Sequence, residues 1–372
     1  MKELKQAIKL NSREILISRV KEGVFRYQAW PTVIKDENGV IYVAVSVNRT
    51  GHVCPFGKNF LYVSNNGGLS YNNPIIINDT KLDDRDAGLT YLGNGKILLT
   101  FFKHPIQFYL DETEFLKRAN KKETWNLVFS KIESWKSLPK EDTVYGSFTR
   151  LSADYGETWE KPYKVPVSSP HGPIKLKNGN LLFVGKEFHS FEYEKSAIFA
   201  FTSSDEGKTW NYLSKIPFPE GTNADNIHEP WQLELENGDI LAFLRGQGKE
   251  VPFEFTVYLS KSTDGGKTWS NPEGLGICGS PPHAFIHSSG AIVLTYGRRA
   301  NPFGLRALIS YDNGNTWSDE YVLDDTAPME DLGYPSSIEL DVGSIYTVYY
   351  KRQVGDDFPS LYAYIWNLPK GE

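Results

Sequence analysis

The chain has 372 residues, of which 40% are hydrophobic, 14% aromatic and 23% charged. This composition provides enough apolar material for a large core and excludes a wholly disordered chain. The formal net charge of −6 and the absence of any basic run argue against nucleic acid or an anionic membrane as partners.

The number of cysteines and the N-terminal sequence indicate the cellular compartment in which the protein is expected. Two cysteines cannot form a disulfide framework, and the small number suits a reducing compartment. The start MKELKQAIKLNSREILISRV contains no apolar stretch of signal-peptide length, and no segment approaches the roughly 18 apolar residues of a membrane span. We therefore expect a cytoplasmic protein, or a secreted one if a signal was removed.

One eight-residue pattern, Ser-x-Asp-x-Gly-x-Thr-Trp, recurs along the chain and is called the Asp motif. Its four full copies and one decayed copy are SADYGETW at 152–159, SSDEGKTW at 203–210, STDGGKTW at 262–269, SYDNGNTW at 310–317 and SNNGGLSY at 64–71. In such a pattern the Asp can cap backbone amides, the Gly can adopt a positive φ, and the Trp can fold over the turn. The motif predicts a β-hairpin turn, and its repetition predicts a repeat architecture.

A second repeat consists of two short apolar strands around a turn that contains glycine. The turn glycines are Gly39, Gly95, Gly179, Gly238, Gly290 and Gly343. They are 52 to 59 residues apart, except for one interval of 84 residues. Two strands around this turn and two around the Asp motif make four strands per unit. Six such units predict an all-β fold, a six-bladed β-propeller.

Two irregularities complete the expected architecture of one domain over residues 1–372. The last unit lacks an Asp motif and a fourth strand, which we expect the N-terminal segment 14–20 to supply, so that the ring closes without an open edge. Residues 105–145 form an insertion in blade two with helical rather than alternating spacing. Because the insertion follows the second strand, it is expected at the mouth of the central funnel, as a lid or a surface for homo-oligomerisation.

Counting from the turn glycines gives a register for the funnel mouth. Asp86, Glu229 and Tyr334 each stand nine residues before a turn glycine, and Arg245 stands seven residues after one. Equivalent positions of successive blades face the same part of the funnel. The register therefore predicts that Asp86, Glu229 and Tyr334 lie in one layer around the mouth.

The Asp motifs on a six-bladed pattern resemble the Asp-box (BNR) repeats of the sialidase, or neuraminidase, superfamily over nearly the whole chain. The segment HEPWQLELENGDILAFLR at 228–245 matches the family's Glu-to-Arg segment, and GYPSSIELDVGSIYTVYY at 333–350 resembles its Tyr segment. The resemblance implies that Tyr334 is a nucleophile, Glu229 the base that activates it, and Arg245 one of three arginines that hold a substrate carboxylate. A Tyr hydroxyl with a pKa near 10 does need a base to become nucleophilic.

The sequence departs from the family in blade one. Arg26 follows Phe25 as the family's first arginine does, but the family's register falls on Ala29, so Arg26 needs a bulge to reach the site. The stretch NRTGHVCPFGKNF at 48–60 lacks the family's acid/base Asp. Glycosidic cleavage requires a proton donor, and Asp86 or His52 can serve.

Several further residues are candidates for binding substrate. Arg306 is preferred as the third arginine of the clamp, over its neighbours in YGRRANPFGLRALIS at 296–310. The other candidates near the mouth are Arg49, Arg85, Arg299, His171, His228 and His283. The three histidines come from separate blades without the spacing of metal ligands, so neither a metal nor another cofactor is expected.

The sequence thus predicts a retaining exo-glycosidase with an acidic glycan, a sialoside first, as its substrate. Two alternatives stay open, because a fold does not fix a reaction. One is a hydrolase or lyase of another uronate or keto-acid glycan. The other is a propeller that binds carbohydrate without catalysis.

Overall fold

The computed structural model describes residues 5–188, 193–341 and 343–369. Within these ranges the strands form six sheets, five of four strands and one of five. Neighbouring sheets pack against one another around a ring, mainly through their first strands, and the first strand of the last sheet contacts that of the first sheet. The structure confirms the predicted six-bladed β-propeller.

The blades are given with their strands in order from the axis outward. Blade one contains β3 (Tyr27–Lys35), β4 (Ile41–Arg49), β5 (Lys58–Ser64) and β6 (Ile75–Asn78); blade two contains β7 (Arg85–Gly93), β8 (Lys96–Lys103), β9 (Gly146–Ser152) and β10 (Tyr163–Val165). Blade three contains β11 (Ile174–Lys175), β12 (Leu181–Lys186), β13 (Ile198–Ser203) and β14 (Asn211–Ile216). Blade four contains β15 (Ile227–Glu234), β16 (Ile240–Gln247), β17 (Phe255–Ser262) and β18 (Glu273–Gly274).

Blades five and six include the N-terminal segment. Blade five contains β19 (Pro282–Ile286), β20 (Ile292–Arg298), β21 (Gly304–Ser310) and β22 (Glu320–Asp324), and β1 (Ala7–Lys9) pairs in parallel with β22 as a fifth strand. Blade six contains β23 (Gly333–Glu339), β24 (Ile345–Lys351) and β25 (Ser360–Trp366), and its outer strand is β2 (Ser12–Ser18), antiparallel to β25. The closing strand therefore lies at 12–18 rather than 14–20, since its pairing begins opposite Trp366.

The hydrophobic core lies between neighbouring blades. One cluster joins Ala44 of blade one to Leu99 of blade two, and another joins Phe243 of blade four to Leu294 of blade five. All four of these side chains lie on second strands, which are buried on both faces. Such strands read as nearly continuous apolar runs, as the segments directly after the turn glycines do.

The Asp motifs form closely similar hairpin turns after the third strands. In SSDEGKTW, the Ser203 hydroxyl donates to Asp205 over 2.8 Å and accepts from the backbone N–H of Gly207 over 2.9 Å. Asp205 also accepts from the backbone N–H of Thr209 over 2.9 Å. In blade two the motif turn contacts the strand 1–2 turn through Tyr155, whose backbone N–H donates to the carbonyl of Gly95 over 2.8 Å.

The insertion in blade two is helical. It contains α1 (Ile106–Asp111), α2 (Thr113–Ala119) and α3 (Trp125–Ser134), with single 3-10 turns at Lys122–Thr124, Trp135–Ser137 and Lys140–Thr143. The helices pack on blade one through a cluster that includes Leu116, Trp135 and Val53. No helix in the described part of the chain has the length and apolar character needed to cross a bilayer.

The Asp-motif geometry gives a first prediction, on stability. Ser203→Ala should lower the free energy of unfolding by about 1–3 kcal/mol, because the buried N–H of Gly207 loses its acceptor. Urea unfolding monitored by tryptophan fluorescence measures this change. Ser204→Ala is the matched control, since the adjacent Ser204 is exposed, and it should change stability by less than about 0.5 kcal/mol. Equal effects of the two substitutions would contradict the assigned role of Ser203.

Candidate active site

A cavity of about 680 Å³ opens at the mouth of the funnel. Its walls come from the beginnings of inner strands, the ends of second strands and residues 118–121 of the insertion. No residue of an Asp motif in the described ranges lines it. The insertion therefore forms part of the cavity wall, while the Asp motifs lie elsewhere on the propeller.

Four inner strands carry the same backbone irregularity at the cavity. The residues nine positions before a turn glycine in blades one, two, four and six have positive φ values of 59°, 56°, 33° and 51°, and they are Trp30, Asp86, Glu229 and Tyr334. At each of them the strand register shifts. A side chain in a regular strand would point toward a neighbouring blade, whereas a bulge re-aims it. Such left-handed residues are strained and concentrate at functional sites.

Three of the predicted residues form a hydrogen-bonded triangle in the cavity. The Tyr334 hydroxyl donates to Glu229 Oε1 over 2.6 Å, and Arg245 Nη1 donates to the Tyr334 oxygen over 2.9 Å. Arg245 Nη1 also donates to Glu229 Oε2. Arg245 is oriented from its other side by Gln247, which accepts from Nη2 over 2.6 Å.

The contacts within the triangle shift the pKa of Tyr334 and the pKa of Glu229 in opposite directions. Burial raises the pKa of Tyr334 well above its usual value, and the nearby charge of Glu229 raises it further. Burial also pushes the pKa of Glu229 upward, but the charge of Arg245 and the hydrogen bond from Tyr334 outweigh it and hold this pKa below its usual value. At neutral pH the phenol is therefore protonated and the carboxylate is ionised. These are the protonation states of a nucleophile and of the base that removes its proton during attack.

Asp86 is a second carboxyl group of the cavity with a different environment. Burial raises the pKa of Asp86 to about 7; the charge of Arg85 opposes this shift and that of Glu229 adds to it. No described residue donates a hydrogen bond to the carboxyl oxygens of Asp86, so its charged form lacks stabilisation of that kind. One pocket thus holds an ionised Glu229 and an Asp86 that is largely protonated up to about pH 7.

Arg299 and Arg85 are two of the other arginines that line the cavity. The Arg299 guanidinium carbon lies 5.9 Å from the ring centroid of Tyr334 and 5.6 Å from that of Phe255, and Arg245 lies 5.9 Å from the same Phe255 ring. The backbone carbonyls of residues 280 and 330 accept from Arg299 and fix its orientation. The guanidinium carbon of Arg85 lies 4.6 Å from the ring centroid of Trp30. Positive charge therefore flanks Tyr334 and also stands beside Asp86.

His228 also lines the cavity but is held as a neutral ring. Its Nδ1 accepts from the buried ammonium of Lys186 over 3.0 Å, and its Nε2 contacts the carbonyl of Asp225 over 2.9 Å. Burial lowers the pKa of His228 to about 4, and the charges of Lys186 and Arg245 contribute. Both ring nitrogens are thus occupied by the protein, and the ring acts as a wall beside Glu229.

Two arginines expected in the carboxylate clamp lie outside the cavity, which corrects the sequence prediction. Arg26 precedes the bulge of β3, pairs with Asp357 over 3.4 Å and covers the ring of Phe358. Arg306 is fully buried within blade five, where its Nε donates to Glu320 over 3.1 Å. Each is held by an acidic partner that is distant in sequence. Arg299, not Arg306, is the blade-five arginine of the cavity.

Three other candidates also fall outside the cavity lining. Arg49 is fully buried and donates to both oxygens of Asp83, over 2.7 and 2.9 Å. His171 and His283 are buried beside each other, with ring centroids 5.1 Å apart, and His283 stacks on Trp231 at 4.3 Å. These residues stabilise the funnel wall instead of lining the pocket. No cluster of three or more possible metal ligands occurs among the described residues.

The sequence reasoning named His52 but missed Trp30, Tyr27 and Asp331 in the cavity wall. Counting nine residues back from Gly39 would have found Trp30, as it found the other three positions. Near Trp30, Tyr27, His52 and Asp331 form a hydrogen-bonded group on the same cavity wall. No sequence spacing relates these three residues, because they come from a strand, a loop of the same blade and a loop of blade six.

Comparison with family models identifies the family to which the chain belongs. Residues 115–347, well over half of the chain, match the family model described as a BNR repeat-like domain. The chain belongs to the BNR repeat-like family. The matched range begins in the insertion and ends in β24.

Solved structures similar to this BNR repeat-like protein share its fold. A protein of unknown function from Dyadobacter fermentans has a TM-score of 0.76 and 25% identity, over 96% of this chain and 99% of that one. A Trypanosoma rangeli sialidase in complex with sialic acid has a TM-score of 0.63 and 18% identity, over 96% and 59%. The intramolecular trans-sialidase of Ruminococcus gnavus, in complex with oseltamivir carboxylate, has a TM-score of 0.63 and 14% identity, over 93% and 95%.

A curated relative matches a shorter region. A xyloglucanase from Paenibacillus is 25% identical over 166 residues, which cover 41% of this BNR repeat-like chain and 16% of the xyloglucanase. The match thus spans less than a fifth of that relative's length. The sialidase structures, at 14–18% identity, share the fold with this chain.

Proposed function

We propose that this protein is a retaining glycoside hydrolase that removes a terminal acidic sugar, sialic acid first, from a glycan. The observation that carries the proposal is the triangle of Tyr334, Glu229 and Arg245 in the cavity, with a 2.6 Å hydrogen bond between phenol and carboxylate. The sialidase-like fold and the distant glycosidase relatives support the same class of reaction.

Tyr334 is the proposed nucleophile. As its oxygen attacks the anomeric carbon, its proton passes to Glu229, which is ionised and already hydrogen-bonded to it. Arg245 donates to the same phenol oxygen and stabilises the negative charge that develops there. A phenol with a base in place is also a less repulsive nucleophile for an anionic sugar than a bare carboxylate is.

Asp86 is the proposed proton donor to the leaving group. Its carboxyl group retains its proton up to about pH 7, while Glu229 in the same pocket is ionised. Two carboxyl groups with separated pKa values commonly divide acid and base roles in glycosidases. The choice of Asp86 rests on this separation and on its place in the ring of bulged residues.

Arg245 and Arg299 are the proposed site for the carboxylate of the sugar. Their guanidinium carbons lie 5.9 and 5.6 Å from the ring centroid of Phe255 and both groups are next to Tyr334, so a carboxylate held by both would bring its sugar close to the nucleophile. Charge-assisted hydrogen bonds from arginine are suited to a carboxylate. The clamp contains two arginines from blades four and five, since Arg26 and Arg306 lie outside the cavity.

The nucleophile gives the first activity prediction. The wild type should release 4-methylumbelliferone from its α-glycoside of N-acetylneuraminic acid with retention of configuration, which proton NMR detects. Tyr334→Phe should abolish turnover, and Glu229→Gln should lower kcat by roughly 10²–10⁴-fold because the base is lost. Tyr155→Phe is the control, because that exposed hydroxyl lies on an Asp motif.

A wild type inactive on this sialoside and on the matching uronides would overturn the proposal. Full activity of Tyr334→Phe would overturn it as well. A product with a new ultraviolet-absorbing double bond would instead identify a lyase.

The pKa of Asp86 gives a prediction on pH. Because the proton donor must be protonated, kcat/KM for sialyllactose should fall as the pH rises through about 7. Asp86→Asn should lose this basic limb and lower kcat/KM for sialyllactose by roughly 10²–10⁴-fold, but change the 4-methylumbelliferyl substrate much less, because that leaving group needs little protonation. Equal losses on both substrates would show that Asp86 is not the proton donor.

The two-arginine clamp gives a prediction on binding. Arg299→Met should weaken inhibition by 2-deoxy-2,3-didehydro-N-acetylneuraminic acid by about 10–100-fold, the value of a charge-assisted hydrogen bond. Arg298→Met is the matched control, since the neighbouring Arg298 pairs with Glu320 and does not line the cavity. The inhibition constant of this control should stay within about twofold of the wild type. Similar losses for both variants would exclude a specific carboxylate site at Arg299.

A further inference from the structure

The helical insertion of blade two contributes a wall of the cavity that has no part in the steps above. Residues 118–121, called the insertion wall, lie at the end of α2 and directly after it, and they line the same cavity as Tyr334. The cavity of about 680 Å³ has more room than one sugar ring fills. Part of the glycan beyond the cleaved bond can therefore be bound inside it.

The insertion wall is fixed to blade one by a close backbone contact. Asn120 forms an antiparallel bridge with Gly51, accepts from the Thr50 hydroxyl over 2.6 Å and donates to the carbonyl of Val53 over 2.7 Å. A Cβ atom at Gly51 would lie 1.9 Å from the carbonyl oxygen of Ala119, so this approach requires glycine. The wall is therefore a built surface of the cavity and does not hang over it as a separate loop.

The far end of the insertion wall is held by blade six. Lys121 Nζ lies 2.5 Å from Asp357 Oδ2 and 5.2 Å from the ring centroid of Phe358. Both partners belong to the loop between β24 and β25, and both line the cavity. The insertion thus extends from blade two, across blade one, to the loop of blade six.

This wall stands beside the proposed proton donor, Asp86. The adjacent Arg85 donates to the carbonyl of His52 over 3.1 Å, and His52 directly follows Gly51, which bridges the insertion wall. The proposed carboxylate clamp comes from blades four and five, and blade one lies opposite blade four in a ring of six. A leaving group that starts at the proton donor and extends away from the clamp therefore meets the insertion wall.

The insertion wall carries a cation without a partner. Arg118 is exposed and lines the cavity, and among the described residues none forms a hydrogen bond or an ion pair with its guanidinium group. Glu114, one turn earlier on the helix, pairs with Lys117 over 2.6 Å and is attracted only weakly by Arg118. The charge of Arg118 is therefore available to a ligand.

The carboxylates near this side of the cavity are engaged elsewhere. The lysine of the wall already neutralises the loop of blade six, and Asp331 lies 3.4 Å from Arg352 Nη2. The exposed Glu330 also lines the cavity, but its backbone carbonyl accepts from Arg299, which places it beside the clamp. An anionic group bound by Arg118 would thus meet a positive charge that no neighbouring carboxylate has cancelled.

We propose that the insertion wall is a subsite for a leaving group that carries an anionic group of its own, and that Arg118 binds this group; the inference rests on the proposed function. The planar guanidinium suits a carboxylate or a sulfate, to which it can donate two hydrogen bonds. The preferred substrate is then a glycan in which the terminal acidic sugar is linked to a second acidic or sulfated sugar.

The test compares charged and neutral leaving groups. Initial rates of N-acetylneuraminic acid release, measured by chromatography, are determined for α2,8-disialyllactose, for 3′-sialyllactose sulfated on galactose and for 3′-sialyllactose. Arg118→Met should lower kcat/KM by about tenfold on one or both charged glycans, since a charge-assisted hydrogen bond is lost at an exposed site. The value for 3′-sialyllactose should stay within about twofold of the wild type.

The comparison with the wild type is made on each glycan separately, so differences in reactivity between linkages cancel. The charged glycan with the larger loss identifies the anionic group as a carboxylate or a sulfate. Arg118→Glu should enlarge the loss on the charged glycans, because attraction is replaced by repulsion. This exposed position on the helix tolerates either substitution, and thermal unfolding checks the fold of each variant.

Salt and a matched variant distinguish charge recognition from a structural role. At 1 M salt, where the Debye length is about 3 Å, the wild type should lose most of its preference for the charged glycan over 3′-sialyllactose. Lys122→Met is the control, since Lys122 is an exposed cation of the same insertion that does not line the cavity. This variant should match the wild type on all three glycans.

Two results decide the inference. A loss in Arg118→Met that is at least about fivefold greater on a charged glycan than on 3′-sialyllactose supports it. A smaller difference overturns it, whether the variant loses activity equally on all three glycans or on none. If the wild type releases no sugar from these glycans or from the 4-methylumbelliferyl substrate, the proposed function itself fails, and this is known before any variant is compared.

Discussion

The site depends on a constraint in the backbone of the inner strands. A regular strand in a propeller blade presents its side chains to the two neighbouring blades, where they build the core. In four blades one residue adopts a left-handed conformation within a bulge, at the same distance from the turn. That change directs Trp30, Asp86, Glu229 and Tyr334 into the cavity. The strained backbone persists because the hydrogen bonds and packing around each bulge hold the strand in this one conformation.

The two carboxyl groups of this layer show how position controls chemistry. Glu229 and Asp86 occupy equivalent places in blades four and two; Asp86 is buried and Glu229 is partly buried. Glu229 lies against Arg245 and Tyr334 and is ionised, while the carboxyl group of Asp86 accepts no hydrogen bond from the described residues and keeps its proton up to about pH 7. The propeller supplies equivalent positions, and the neighbours at each position set its protonation state.

The sequence predicted the fold and three of the four residues of this layer because both follow from repetition. The turn glycines fix the blades, and each bulge adds its residue at the same count, so Asp86, Glu229 and Tyr334 remained in register. The arginines followed no such count. Arg306 lies one strand outward with a partner, Glu320, that appears only after folding, and Arg26 precedes the bulge that Trp30 occupies. Partners distant in sequence thus decided which cations reached the cavity.

Closure of the ring carries a consequence for how the protein is made. The outer strand of blade six comes from residues 12–18, and Glu14 accepts a hydrogen bond from Tyr364, 350 residues further along the chain. During synthesis this first segment therefore leaves the ribosome long before its partner exists. Blades one to five can assemble in order as they emerge, but the ring can shut only after β25 has been translated. Until then the edge of the growing sheet array stays open to other chains, so a chaperone that shields strand edges would matter most during this interval.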